Sequence, residues 1–226
     1  MSAVSELLLR DRELSNNKSK RVLLCLCIDN SASMTRGGVM GEVNRGIERF
    51  FERTDRNSLS RDAADICIVA FGDKAELVCD FGPLQRAMNQ VKRQPIRATG
   101  AGTVLAAGVT LALERLDHHL KELASVNNNA YIPWLIIISD GDSTEAPAAV
   151  ERAAAQVRRR VQAGALRTLC LSIGEGSRSL AAFTADGRVS RLEDLKVADF
   201  FDMLSRSVTQ ASQLAIQQGG VEINPV

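Results

Sequence analysis

The chain has 226 residues, 45% hydrophobic and 24% charged, a balance that suits one well-buried α/β domain and leaves little room for two. Its formal net charge of +1 gives no general reason to expect nucleic acid or an anionic membrane as a partner. No apolar stretch approaches the length of a membrane span. Leu7-Leu8-Leu9, flanked by Glu6 and Arg10, does not make a signal peptide, so a cytoplasmic protein is expected.

Residues 1–20 read as a polar N-terminal arm, 21–217 as the folded domain and 218–226 as a flexible tail. The unbroken apolar run Val22 to Ile28 predicts a strand buried on both faces of a parallel sheet. A helix is expected over 39–53, with Val39, Val43, Ile47, Phe50 and Phe51 on its buried face. Ala64 to Phe71 and Ala75 to Phe81, separated by Gly72-Asp73-Lys74, read as an antiparallel edge hairpin. A short helix follows over 84–91. After a loop from Pro95 to Gly102, Thr103 is expected to open a long helix striped by Leu105, Val109, Leu113, Leu116 and Leu120.

Asn127-Asn128-Asn129 mark a surface turn. Trp134 to Ser139 is a second continuous apolar strand, ending at Asp140-Gly141-Asp142. Helix is expected over 147–163 with Pro in its first turn, strand over 166–173 closed by Gly174-Glu175-Gly176, and a short last strand over 188–192. A final helix over 194–217 carries Val197, Phe200, Phe201, Leu204, Val208 and Ala211 on one face. Strands alternating with helices predict a three-layer, doubly wound α/β fold. Its sheet should be mostly parallel with one antiparallel edge strand and helices on both faces.

Asp29-Asn30-Ser31-Ala32-Ser33 follows the first strand directly, where ligands bind in open α/β sheets. D-x-S-x-S arises by chance in roughly one chain of this length in ten, so alone it does not separate a site from a Ser-rich turn. The fold brings two more pieces to the same edge: Thr103 after Gly100-Ala101-Gly102, and Asp140 at the end of the second apolar strand. The two apolar runs are expected to be central neighbours. Asp29, Ser31, Ser33, Thr103 and Asp140 are all oxygen donors, which favours Mg²⁺, with Mn²⁺ or Ca²⁺ as alternatives, over zinc.

Asp29-Asn30-Ser31-Ala32-Ser33-Met34, Gly102-Thr103 and Ser139-Asp140-Gly141 resemble the metal-ion-dependent adhesion site of von Willebrand factor A domains, over essentially residues 21–215. The resemblance implies Ser31, Ser33 and Thr103 as metal ligands, with Asp29 and Asp140 supplying charge and orientation and a partner's carboxylate completing the octahedron. Within that class the chain is most similar to the bacterial tellurium-resistance (TerY-like) group, on the stretch Gly102 to Gly108 and on Val189 to Leu192 leading into Ala198-Asp199-Phe200-Phe201. This implies a cytoplasmic scaffold in a stress-response system, with phosphatase or kinase components among possible partners. Where the family commonly has Gly-x-Pro-Thr after the last site aspartate, Ser143 stands in place of the Pro.

The rival reading is a Mg²⁺-dependent phosphatase or phosphotransferase with Asp29 as nucleophile. Against it, Ser31 stands where a second Asp is wanted, and no lysine follows the later strand at Ile173-Gly174-Glu175. There is no P-loop and no G-x-S-x-G elbow. His118-His119 point in different directions on a helix and make a poor metal pair. The five cysteines fall in predicted strands and read as core. Arg158-Arg159-Arg160 reads as a solvated face, with an acidic protein patch as the lesser alternative.

Overall fold

The computed structural model describes residues 20–173, 178–191 and 197–217. The arm over 1–19, the Gly174-Glu175-Gly176 turn, Leu192 and the tail from 218 lie outside the described residues. Six strands are described: β1 (Val22–Asp29), β2 (Ala64–Phe71), β3 (Ala75–Cys79), β4 (Trp134–Ser139), β5 (Arg167–Ser172) and β6 (Ser190–Arg191). They form one sheet in the order β3-β2-β1-β4-β5-β6, parallel throughout except for β3. The expected architecture is observed. β1 and β4 are central neighbours, paired from Leu24–Trp134 to Ile28–Ile138.

The helices are α1 (Val39–Asp55), α2 (Ser58–Ala63), α3 (Leu84–Arg93), α4 (Leu105–Ser125), α5 (Pro147–Gln162), α6 (Arg178–Ala181) and α7 (Val197–Gln217). Strand side chains alternate between faces, so each buried strand feeds two cores. Leu24, Leu26 and Ile28 join α1, α3 and α7 on one face. Leu23, Cys25 and Cys27 join α4, α5 and α6 on the other. Two glycines permit close approach. A Cβ on Gly46 would lie 2.3 Å from the Phe201 ring, and one on Gly108 would lie 2.8 Å from Phe71 Cβ. Gly108 therefore lets α4 sit hard against β2, at the end nearest Thr103.

The predicted strands β2 and β4 have the expected bounds, and β3 ends two residues early, at Cys79. Three corrections concern local chemistry. The long helix opens at Leu105 rather than Thr103, which leaves Thr103 in the preceding loop. A 3₁₀ segment over Ala32–Gly38 and the short helix α2, capped by Asn57 accepting from the Ser60 amide at 3.1 Å, have no apolar periodicity to reveal them. Asn128 is buried rather than on the surface, because its turn docks on the start of β1. There Arg21 N donates to Asn129 O, and Tyr131 N donates to Arg21 O, each at 2.8 Å. All five cysteines are free and buried, as core residues should be.

At the amino ends of the strands lies a buried polar staple. Arg21 grips Asp65 through Nε at 2.8 Å and a second bond from Nη2, and donates to Asp62 O at 2.5 Å. His119 Nε2 lies 2.9 Å from Asp65 Oδ2, its Nδ1 lies 2.9 Å from Glu122 Oε2, and its ring stacks on Phe81. The pair His118-His119 is thus divided: His119 is core, while His118 is exposed and reaches Glu122.

Candidate metal centre

The site is built where β1 and β4 end side by side. Beyond the Ile28–Ile138 pair, the next residues are Asp29 and Ser139, and Ser139 Oγ donates to Asp29 Oδ2 at 2.5 Å. The backbone then turns tightly, so that Ser31 N donates to Asp29 Oδ1 at 2.8 Å. Both carboxylate oxygens are engaged, and Asp29 is fully buried. Above it, Ser31 Oγ and Ser33 Oγ lie 2.9 Å apart, and Ser33 Oγ donates to Asp140 Oδ1 at 2.8 Å. Ser33 and Asp140 are half-exposed, which gives the cluster a buried floor and an open mouth.

Thr103 is nearly buried and reaches the same edge by its backbone. Its loop is tied to the 3₁₀ segment after β1 where Ala32 N donates to Gly100 O at 2.6 Å, and to the β2–β3 turn where Val104 N donates to Gly72 O at 3.0 Å. Asp73 Oδ1 accepts from Ala101 N at 2.9 Å and Gly102 N at 2.7 Å. A Cβ on Gly100 would come within 2.7 Å of Asp73 N, so the turn and loop meet only because that residue is glycine.

The other side of Thr103 is clamped by the segment after Asp140. Thr103 N donates to Thr144 Oγ1 at 3.0 Å, Thr144 N donates to Thr103 O at 3.0 Å, and Ser143 Oγ donates to Thr103 O at 3.1 Å. Glu145 supplies the cap that α4 lacks in its own sequence. Its carboxylate accepts from Ala106 N at 2.5 Å and Ala107 N at 3.2 Å. Ser143, at the position where proline was expected, does two things proline cannot. Its amide donates to Ser179 Oγ at 3.1 Å, and its hydroxyl reaches Thr103 O.

The five predicted residues therefore share one edge. Asp29, Ser31, Ser33 and Asp140 form a connected hydrogen-bonded chain, apart from a backbone link at Ser31. Thr103 is held against them through its loop. Sequence reasoning left Ser139, Asp73, Thr144 and Glu145 without roles. The signal for the last two was present in Asp140 to Glu145, six residues with no apolar side chain at the end of a buried strand.

Neither Asp29 nor Asp140 forms an ion pair with a basic side chain among the described residues. Burial pushes the Asp29 carboxyl above its ordinary value. Hydrogen bonds from Ser139 and Ser31 pull it back only in part, and the charge of Asp140 raises it further. Among the described residues no group of three or more His, Cys, Asp or Glu is disposed to hold a metal ion. What gathers here is the hydroxyls of Ser31 and Ser33 and two carboxylates, with Thr103 on the adjoining loop, a hard oxygen set with no basic partner among the described residues. That set fits a small divalent cation.

A doubly wound sheet with such a cluster at its carboxyl edge defines a class of α/β binding domain. The sequence model of the von Willebrand factor type A domain matches residues 24–143, and the chain belongs to that family. No curated protein matches the sequence. Among solved structures it is similar to a von Willebrand factor type A protein from Catenulispora acidiphila, at 20% identity and a TM-score of 0.60 over 84% of this chain and 43% of that one. It is similar to the vWF domain of the type V pili tip protein Mfa5 from Porphyromonas gingivalis, at 11% and 0.62 over 92% and 98%. A third is proximal thread matrix protein 1 from the mussel byssus with a zinc-occupied MIDAS motif, at 14% and 0.54 over 88% and 46%. The chain spans less than half the length of the first and third proteins. At these identities the likeness is one of fold.

Proposed function

We propose that Asp29, Ser31, Ser33, Thr103 and Asp140 form a metal-ion-dependent adhesion site, and that the domain binds a protein partner's Asp or Glu through the cation. The observation that carries this reading is the pair of carboxylates at the sheet edge with hydroxyl and amide partners but no basic one among the described residues. Ser31, Ser33 and Thr103 would hold the ion, and Asp29 and Asp140 would balance part of its charge. Mg²⁺ suits the hard donors, with Mn²⁺ or Ca²⁺ as alternatives. The zinc-occupied motif of the mussel protein supports a divalent ion at the corresponding place in this fold. Bound there, the ion supplies a point of positive charge left under-neutralised by hydroxyl ligands. Asp29 orients Ser31, Ser139 orients Asp29, and Thr144 with Ser143 orients Thr103.

Binding fits this arrangement better than catalysis. A nucleophilic Asp29 would need a free, accessible oxygen, yet both of its oxygens are engaged and the residue is buried. We assign the module to the scaffolds of bacterial tellurium-resistance and stress-response systems, with phosphatase or kinase components as the partner class. Support comes from the sequence likeness at Gly102 to Gly108 and Ala198 to Phe201. Five free, buried cysteines suit a reducing cytoplasm. Calorimetric titration with Mg²⁺ and Mn²⁺ tests the site: the wild type should bind one ion, and the Ser31→Ala/Ser33→Ala variant none. Equal binding by both would remove the basis of the proposal, and phosphate-ester turnover lost in Asp29→Asn would replace it with the enzyme reading.

A further inference from the structure

We propose that α5 carries a second docking element, an arginine-lined groove that binds an acidic segment of a protein partner. It extends the partner class of the proposed function, and rests on that reading only for the carboxylate at the cation. Arg152, Ala155, Gln156, Arg159 and Arg160 line an open groove of about 510 Å³ along one stripe of the helix.

The four arginines of α5 are not equivalent. Arg158 donates to Glu151 at 2.5 Å and to Ala182 O at 2.6 Å, and Arg160 holds Asp117 through two bonds of 2.6 and 2.8 Å. Arg152 and Arg159 form no ion pair among the described residues, and both are exposed. Partners on a helix stand three or four residues away. For Arg152 those positions are Ala148, Ala149, Ala155 and Gln156, and for Arg159 they are Ala155, Gln156, Gln162 and Ala163. A helix face that serves solubility alone interleaves both signs. Here each of those positions is apolar or neutral, the adjoining Glu151 is taken by Arg158, and two positive charges on one stripe have no ion pair among the described residues.

The placement also matters. Pro147 opens α5 two residues after Glu145 caps α4, so the stripe begins at the edge that holds Ser33 and Asp140. At about 1.5 Å per residue, Arg152 sits roughly 7.5 Å down the helix and Arg159 about 10.5 Å further. An extended chain rises about 3.3 Å per residue, so acidic residues three apart reach both arginines. Two carboxylates at that spacing match Arg152 and Arg159, and an extension of the segment past Arg152 runs toward the sheet edge.

The probe is a fluorescein-labelled peptide, Glu-Gly-Gly-Glu-Gly-Gly-Glu, with its all-Gln counterpart, followed by anisotropy at low salt with Mg²⁺ or EDTA. The Glu peptide should bind and the Gln peptide should not. Arg152→Glu/Arg159→Glu, and the milder Arg152→Gln/Arg159→Gln, should weaken binding about tenfold, as expected from losing two exposed ion pairs. Arg86→Glu/Arg93→Glu, a charge swap on α3, should leave it unchanged. EDTA should weaken binding separately in wild type and in the arginine variants. If EDTA has no effect while the arginine variants still lose affinity, the metal reading fails and the groove stands. Loss with EDTA but none in the arginine variants overturns the groove. So does equal loss in the α3 swap, or equally tight binding of a single-stranded oligothymidylate, because then only general positive charge is being read.

Discussion

Asp29 and Asp65 are both fully buried aspartates on adjacent central strands, and they sit at opposite poles of the sheet with opposite electrostatics. Burial pushes each carboxyl up. At Asp65, His119 and Arg21 outweigh that effect through hydrogen bonds and charge and hold the carboxyl below its ordinary range. At Asp29 only Ser139, Ser31 and the Ser31 amide oppose burial, Asp140 adds like charge, and the carboxyl stays raised. One pole is a finished structural joint. The other is left short of positive charge, which is the condition for attracting a cation.

The largest effect expected is at the finished pole. Asp65→Asn strands Arg21 in the core without its charge partner and should cost about 3–5 kcal/mol in urea unfolding at neutral pH. A loss within the range of a surface pair, below about 1 kcal/mol, would contradict the contrast. The same joint sets a pH dependence. Because the folded carboxyl titrates below its unfolded value, its stabilisation is present above about pH 3.9 and is lost as pH falls through the lower folded value. Wild type should therefore lose stability more steeply than Asp65→Asn below about pH 4.

Asp29→Asn should behave in the reverse way. Without added metal, removing an uncompensated buried charge should leave the melting temperature within about 3 °C of wild type. With Mg²⁺ at 100 times its dissociation constant, wild type should gain about 2.7 kcal/mol and the variant nothing. A large loss of metal-free stability would show that Asp29 is a joint like Asp65. A smaller effect belongs to the clamp on the Thr103 loop. Thr144→Val removes the acceptor for Thr103 N and should weaken cation affinity about tenfold, while Thr144→Ser restores it. Faster amide exchange at Thr103 in the valine variant would accompany that loss, and unchanged affinity would show that Thr103 is placed without Thr144.

Much of this was legible along the chain, because it depends on short-range pattern. Continuous apolar runs marked β1 and β4, and period-3.6 stripes marked α1, α4 and α7. The D-x-S-x-S turn announced itself by following a buried strand. Less legible were features whose partners lie far apart in sequence. Arg21, Asp65 and His119 look like ordinary surface residues of three separate elements, and only their meeting makes them a joint. Glu145 caps a helix that begins forty residues before it. The polar run Asp140 to Glu145 is visible in the sequence, but nothing local says which helix it caps, and Thr103 consequently looked like a helix opener when it is a loop residue held from both sides.

Hydrophobic periodicity and side-chain chemistry are local properties, so the sequence was enough for the layers, the order of the strands and main helices along the chain and the candidate oxygen donors. The tertiary structure decided which charges are balanced. Charge balance is a sum over neighbours in space. It separates two aspartates of the same burial into a structural joint and a candidate cation site, and it separates four arginines of one helix into two that are paired and two that have no ion pair among the described residues.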